Sequence, residues 1–583
     1  MKAAMEKRFE GLGVSSGIAI GPAYVREAGA LDVPDYRIKK KDLAAEEKRL
    51  TAAVILARRQ IKRLQAQAQK DAVAGEMHFL FDAYLQMLED SRLVRGARDL
   101  IAKNAMNAEA AVQQTLTGIL HAFQAMDNAY ISARIDDVRD VGNRIIRNLM
   151  REPLKPFSQA PDGAIVIADQ LSPADASQLD PARIAGAATA LGGAEGHAAI
   201  MARALGLPLV LGIPGLTGAV KPGSQVIVDG IHGTVVVNPT ARTLGVYEQL
   251  KTDARKRAEK LGHMRAVPAV TRDDVTVTLA ANVELPIEMD LVKRNGAAGI
   301  GLLRTEFLYM SRDDVPTEDE QYEILKDIVE AMEGKPVTIR TLDVGGEKPA
   351  QGLLGDLSEA AASALGLRGI RLSLAHKKGM ADQMCAILRA ANHGPVRILL
   401  PMVSTVSEVR QAREALKKAA QRLKRRKQKV PDPLPPLGVM IEVPAAALAA
   451  DALAQVSDFF AIGSNDLTMY TLATDRTNEH VAHLYDSLHP AVLRLIQFAT
   501  QAALRSRIPI SLCGEMAGDP RYAPLLLGLG LRELSMVPVK IPVLKQRIRE
   551  MDLSAATRRA DAIMGHVDPG RIAALLDDFN GLA

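Results

Sequence analysis

From residue 269 onward the chain repeats one order: a short apolar or β-branched run, then a longer stretch with amphipathic helical spacing. Such alternation builds a parallel sheet, because each helix must carry the chain back before the next strand can pair in the same direction. Eight runs of strand type stand out, at 275–284, 299–307, 337–346, 367–374, 397–404, 437–444, 459–466 and 508–515. Eight units in about 315 residues predict a (β/α)8 TIM-type barrel over 269–583. The polar residues support it from a second direction. Arg304 and Glu306, Arg340 and Asp343, Glu442, Asn465 and Asp466, and Cys513 and Glu515 all fall at the C-terminal ends of these runs. That rim is where such barrels build their chemistry.

The front of the chain has a different texture. Short β-type pieces broken by glycine occupy 9–25, and strands return in "GAIVIAD" (163–169), "PLVLGI" (208–213) and the hairpin-like "SQVIVDGIHGTVVVNP" (224–239). Between them the composition shifts to Ala, Leu, Gln, Glu and Arg, with apolar residues at helical spacing as at Leu50, Val54, Ile61 and Leu64. A bundle of about four helices, divided near 71–75, 103–107 and 126–128, is therefore expected as an insertion in an α/β domain. The predicted organisation is multidomain α/β. It comprises an α/β domain from 1–30 and 152–238, a helical insertion at 31–151, a helical linker at 239–268 and the barrel at 269–583.

The totals narrow the class. At 583 residues, 48% hydrophobic and 24% charged, the chain can bury several cores, and no apolar run approaches the ~20 residues of a membrane helix. Membrane insertion is not expected. The charged first ten residues lack the apolar core of a secretory signal, and two cysteines are too few for a disulfide framework, so a cytoplasmic location is expected. A net charge of +5 on this length does not suggest nucleic-acid binding. The single basic run, Lys417 to Lys429, reads as a solvated helix face, with an anionic-partner patch as the alternative.

At the predicted rim, Glu442 and Asp466 come from neighbouring strand ends. Few oxygen ligands, with room for water and substrate, suit Mg2+; pairing of each carboxylate with a rim arginine remains the other possibility. Arg304, Arg340 and Arg476 offer guanidinium forks that match phosphate and carboxylate oxygens, so a small doubly anionic phosphoester is the predicted ligand class. Cys513 is either a small buried hydrophobe or a reactive thiol. His197 stands where the glycine-rich "LGGAEG" meets a helical run.

The motifs "GIGLLRTEFLYM" (299–310), "RTLDVGGEKP" (340–349), "GVMIEVPAAA" (438–447), "IGSNDLTMYTLATDR" (462–476) and "CGEMAGD" (513–519) together resemble the phosphoenolpyruvate-protein phosphotransferases, enzyme I of the sugar phosphotransferase system. The resemblance runs over essentially the whole chain. It implies a swivelling phosphohistidine domain interrupted by a helical domain that docks the histidine-containing phosphocarrier protein, with segments 76–90 and 135–150 similar to that helical domain. It further implies His197 as the phosphorylated residue, Arg304, Arg340, Asn465 and Arg476 as phosphoenolpyruvate ligands, and Glu442 and Asp466 as Mg2+ ligands. Asp466 thus borders both metal and substrate. Cys513 matches the proton donor to the leaving enolate that becomes pyruvate, and Lys348 matches a basic residue near the substrate. A homodimer through the barrel is implied as well.

The sequence departs from that family where it matters most. Thr-Ser before the histidine and a hydroxyl after it are usual; here stand Glu195, Gly196 and Ala198. Lost hydroxyls remove hydrogen bonds to phosphoryl oxygens, whereas the glycines and the free N–H groups of a helix start can replace them. Smaller departures are Ser464 for Thr, Met469 for Gln, and "AASALGLRGIR" where a proline often precedes Leu-Gly. Dikinases and synthases that share the phosphohistidine-plus-barrel plan need a large nucleotide-grasp domain, for which the helical insertion is too small. A nitrogen-regulatory paralogue and a catalytically weak phosphoenolpyruvate-sensing protein remain as alternatives.

Overall fold

The computed structural model describes residues 5–15, 17–26, 33–68, 81, 84–89, 91–124, 129–151, 157–176, 178–193, 197–309, 314–344, 364–475 and 480–581. The chain divides into two compact units, residues 1–257 and 258–583.

In the first unit the strands are β1 (Lys7–Glu10), β2 (Leu12–Ser15), β3 (Ile18–Arg26), β4 (Ala164–Ala168), β5 (Ile184–Thr189), β6 (Leu209–Leu211), β7 (Gln225–Asp229) and β8 (Thr234–Val237). They form one sheet in the order β1-β8-β7-β3-β4-β5-β6-β2. Its centre, β3-β4-β5-β6, is parallel. The strand β4 is buried at every position, as a strand covered on both faces must be. The sequence reading passed over β5, whose "IAGAAT" has one β-branched residue at each end and only small ones between.

The helical insertion leaves the sheet after β3 and returns at β4, its immediate parallel neighbour. Its described helices are Leu43–Ala68, Arg92–Asn104, Ala108–Gln124 and Ala129–Met150. They enclose a core of Leu50, Ile61, Tyr84, Leu88, Ile101, Val112 and Ile145 among others. The expected breaks near 71–75 and 126–128 lie outside the described residues. The break near 103–107 is a left-handed C-cap at Ala105, with φ 52°. A further helix, Ala241–Gly262, spans the division between the two units.

The second unit is a closed barrel of eight parallel strands: β9 (Thr278–Val283), β10 (Ile300–Leu303), β11 (Val337–Arg340), β12 (Val396–Leu400), β13 (Leu437–Ile441), β14 (Phe460–Ile462), β15 (Ile510–Leu512) and β16 (Glu533–Met536). The barrel and its strand number agree with the sequence reading, but one strand does not. Residues 367–374 are not a strand; Gly369–Ala375 is a short helix. The alternation of Ile370, Leu372 and Leu374 with polar residues imitates period two, and a short apolar run cannot be typed by periodicity alone. Gly369 decides the matter, with φ +56° and a Cβ position only 2.8 Å from the Met402 side chain. The missing strand is β16, whose "ELSM" has a polar residue at every second position.

Those polar residues point inward for a reason. Leu302, Leu399, Met440, Phe459, Ala461 and Cys513, from five strands, pack together inside the barrel. Beneath that layer Arg397 of β12 reaches Glu533 of β16, diametrically opposite, with N–O distances of 2.6 and 3.3 Å. Its Nε donates to Thr338 of β11 at 3.0 Å, and its guanidinium lies 5.2 Å from the Phe459 ring centroid. Outside, Thr317 with Glu320 and Thr405 with Glu408 form capping boxes that start the helices Glu318–Ala331 and Val406–Arg425. The latter buries Val409, Ala412, Leu416 and Leu423 and leaves Lys417, Lys418, Lys424 and Arg425 exposed, the geometry of a solvated basic face. No described helix is long and apolar enough to cross a membrane.

Removing one end of the floor ion pair isolates a charge inside the barrel. Glu533→Ala is expected to lower unfolding stability by about 2–3 kcal/mol, below the ~3–5 kcal/mol of a fully buried pair because water still reaches both groups. Urea unfolding of the variant against the parent measures it.

Candidate active site at the barrel rim

Arg340 is the last residue of β11 and is 8% exposed. Its guanidinium donates to Glu306 at 3.0 Å and lies 3.2 Å from Asp343. Burial alone would lower its pKa, but the Glu306 and Asp343 charges, with Glu442 and Asp466 behind them, raise it above the usual arginine value. Glu306 is held on the short 3-10 turn that follows β10, and Asp343 follows β11 by three residues. Barrel closure at the β10–β11 pair is what brings them together.

Asp343 also binds a second arginine. Arg368 donates to its two oxygens at 3.2 and 3.0 Å, the bidentate geometry that favours Arg over Lys. The same guanidinium lies 3.5 Å from Asp466 and donates to the Tyr470 hydroxyl at 3.1 Å.

Glu442, directly after β13, is 1% exposed and accepts a hydrogen bond from the Met402 backbone N–H at 2.6 Å. Burial pushes its pKa well above the usual carboxylate range, and the nearby Asp466 and Asp343 charges push it further. Asp466 lies in the first turn of the helix Ser464–Leu472 that follows β14. Asp343, Glu442 and Asp466 offer one oxygen each within 4.8 Å of one another. Hard oxygen donors packed this closely, against their own repulsion, fit a divalent cation of the Mg2+ class. Several polar atoms among them are buried without a hydrogen-bond partner: Arg304 Nε, Arg340 Nε, Glu306 Oε2 and Ser464 Oγ. Buried polar groups are ordinarily paired, so this concentration fits a site built around a polar ligand.

Two further pieces complete the rim. Arg304, just beyond β10, pairs with Glu284, just beyond β9. Asn465 donates to the Glu515 carboxylate at 3.0 Å and accepts from the Glu515 backbone N–H at 2.9 Å, locking the β14 and β15 ends. Between them Cys513 is 4% exposed, with Sγ 3.5 Å from the Ile462 carbonyl. Burial pushes its thiol up to about 12, so it stays protonated through the physiological range. Asn282 Nδ2 donates to the Cys513 carbonyl at 2.9 Å, and Ser535 donates to Asn282 Oδ1 at 2.6 Å. The backbone carrying the thiol is thus tied to β9 and β16.

Comparison with known proteins matches this architecture along the whole chain. Family models described as PEP-utilising enzyme match residues 10–134 (N-terminal), 160–233 (mobile domain) and 258–553 (PEP-binding domain). The phosphoenolpyruvate-protein phosphotransferase of Geobacillus stearothermophilus is 40% identical over 567 residues, covering 96% of each chain. That of Listeria monocytogenes is 37% identical over 578 residues, covering 99% of this chain and all of the relative. The chain belongs to the phosphoenolpyruvate-protein phosphotransferase family. A solution structure of an Enzyme I protein covers 42% of this chain at 31% identity, with a TM-score of 0.37 that adds nothing to the sequence match.

Of the residues that the family resemblance singles out, the structure brings Arg340, Glu442, Asp466, Asn465, Cys513 and Arg304 to one end of the barrel. Arg476 and Lys348 lie outside the described residues, as do Glu195 and Gly196. His197 is described by its backbone alone and opens the helix His197–Leu205; Ala198 packs partly buried against the sheet's core. Three rim residues that the sequence reading missed bear directly on the cluster and the thiol. Arg368 was hidden inside the mistaken strand at 367–374. Asp343 was noted at the rim but given no role, although it stands three residues from Arg340. Asn282 could have been found, as an amide at the penultimate position of the mostly apolar strand β9.

Asn282→Ala removes the donor to the Cys513 carbonyl and strands the Ser535 hydroxyl. A loss of about 1–3 kcal/mol in unfolding stability is expected. In the parent, alkylation of Cys513 and Cys385 by iodoacetamide at pH 8 should require unfolding, whereas Asn282→Ala should expose Cys513 selectively; peptide mass mapping reads both.

Proposed function

We propose that the chain transfers the phosphoryl group of phosphoenolpyruvate to its own His197, releasing pyruvate, and then passes it to a histidine of a phosphocarrier protein. The observation that carries this reading is the arginine and carboxylate constellation at the rim, in a chain aligned end to end with relatives named for that reaction. The doubly anionic substrate lies against Arg304, Arg340 and Arg476, with Asn465 contributing an amide. Glu442 and Asp466, with Asp343 beside them, hold Mg2+, which when bound neutralises charge on the phosphoryl and carboxylate oxygens.

The neutral imidazole of His197 attacks phosphorus in line as the bond to the enol oxygen breaks. The electron pair stays on enolpyruvate. Cys513 gives its proton to the enolate carbon, and a buried thiol with a pKa of about 12 suits a donor that must remain protonated until an enolate arrives. Water later reprotonates the thiolate. The phosphoryl group now on His197 lies at the first residue of a nine-residue helix, where backbone N–H groups and the helix dipole favour an anion. That placement compensates for the hydroxyls missing around Glu195, Gly196 and Ala198.

His197 must visit both the rim and the carrier, so a swivel of the α/β domain is part of the proposal. The match of residues 160–233 to a model described as a mobile domain supports it. The carrier docks on the helical insertion, whose exposed Ile55 and Leu56 supply apolar contact area. The barrel unit associates as a homodimer, for which the exposed Val537, Val539 and Val543 after β16 offer an apolar patch. Two free, buried thiols fit a reducing, cytoplasmic compartment.

Incubation with phosphoenolpyruvate labelled in the phosphoryl group, with Mg2+, should place one acid-labile label per chain. His197→Ala should carry none. Label retained in that variant, or no label on the parent, contradicts the reading.

A further inference from the structure

One buried amide lies against the rim without belonging to its ion pairs. Gln383 is on the helix Lys377–Ala390, among the buried Met380, Met384, Ile387 and Leu388, and is itself 3% exposed. An amide in that position costs stability unless both of its ends are paired. Both ends are paired, and both partners belong to the rim. Gln383 Oε1 accepts from the Leu342 N–H at 3.0 Å, and Nε2 donates to Thr305 Oγ1 at 3.3 Å. The hydroxyl of Thr305, a fully buried residue, donates in turn to the Arg340 carbonyl at 2.9 Å. The order of donors is fixed: an amide oxygen facing a backbone N–H turns the NH2 group toward Thr305, whose single proton then goes to Arg340.

The segment 340–343 carries both Arg340 and Asp343, and side chains take over its hydrogen bonds where the sheet ends. The Thr341 N–H still bonds to the Leu399 carbonyl of β12 at 3.0 Å. Beyond it the Leu342 N–H is held by Gln383, and the Asp343 N–H by Glu306 at 3.1 Å. Gln383 therefore holds the segment on both sides of Thr341, directly at Leu342 and through Thr305 at Arg340. We propose that Gln383 is a positioning residue for phosphoryl transfer, fixing the backbone from which Arg340 and Asp343 reach the substrate and the cation. This rests on the phosphoenolpyruvate reading of the rim. An apolar residue of the same length would fill the space without burying an amide, but it would leave the segment untied. The attraction between a guanidinium and a phosphate falls slowly with distance, whereas in-line transfer tolerates little displacement. A loosened segment keeps substrate binding and loses rate.

Three variants of the full chain test it. Gln383→Met keeps the length and removes both hydrogen bonds, Thr305→Val keeps the branched shape and removes the hydroxyl, and Thr305→Ser keeps the hydroxyl and removes a methyl. His197 labelling is followed with Mg2+ over a range of phosphoenolpyruvate concentrations. The limiting rate should fall about 10-fold in Gln383→Met and in Thr305→Val, with the half-saturating concentration moved less than about 3-fold, and Thr305→Ser should recover most of the loss. Leu388→Ala opens a cavity on the same helix and controls for stability alone: it should lower Tm at least as much and leave the limiting rate at the parent's value. A limiting rate within about 2-fold of the parent in folded Gln383→Met overturns the proposal, as does a loss in Thr305→Ser or Leu388→Ala equal to that in Thr305→Val. If Gln383→Met does not fold, the two Thr305 variants decide. The parent's own labelling separates the two levels: a labelled parent with indifferent variants defeats only the role of Gln383, and an unlabelled parent defeats the functional reading with it.

Discussion

A guanidinium as deeply buried as that of Arg340 is tolerable only with carboxylates against it, and the C-terminal end of the barrel is arranged around that requirement. Glu306 and Asp343 supply the charge. Asp343 then draws in Arg368, and Arg368 reaches Asp466. Asp466 and Asp343 surround Glu442, whose burial already disfavours its ionisation. Each group is placed by the need of the one before it. The cluster retains a surplus of close carboxylate oxygens, the electrostatic condition under which a divalent cation binds.

Strand closure makes this network possible. Parallel pairing around the ring sends every strand's C-terminal end to the same mouth. Below the mouth an apolar layer from five strands excludes water, and below that Arg397 and Glu533 join opposite walls. The apolar layer matters to the chemistry above it: it removes solvent from one side of Arg340, Glu442 and Cys513. Removing water strengthens their mutual attraction, raises the cost of any unpaired charge, and keeps the Cys513 thiol protonated.

Much of this was legible in the sequence because barrels repeat. The alternation of apolar run and amphipathic helix predicted eight strands, and polar residues at their ends predicted the rim; Glu442 and Asp466 do lie together there. The failures share a physical cause. Residues 367–374 have the alternation of a strand, but a positive φ at Gly369 and the proximity of Met402 are facts of packing that no local pattern carries. Arg368 was lost with that error. β16 was missed for the opposite reason: its inward positions hold Glu533 and Ser535, which look wrong for a core until their partners Arg397 and Asn282 are seen across the barrel. Glu284 had no signal either, since an acidic residue at a strand end is ordinary until its arginine is known.

The central claim is that carboxylates and arginines at one barrel mouth form a joint site for a divalent cation and phosphoenolpyruvate. Calorimetric titration of phosphoenolpyruvate into the His197→Ala protein, which cannot turn over, tests it directly. The account predicts binding in the presence of Mg2+, its loss on chelation with EDTA, and its loss in a Glu442→Gln, His197→Ala double variant. Binding of equal strength with and without the cation, and with Gln at 442, would contradict it.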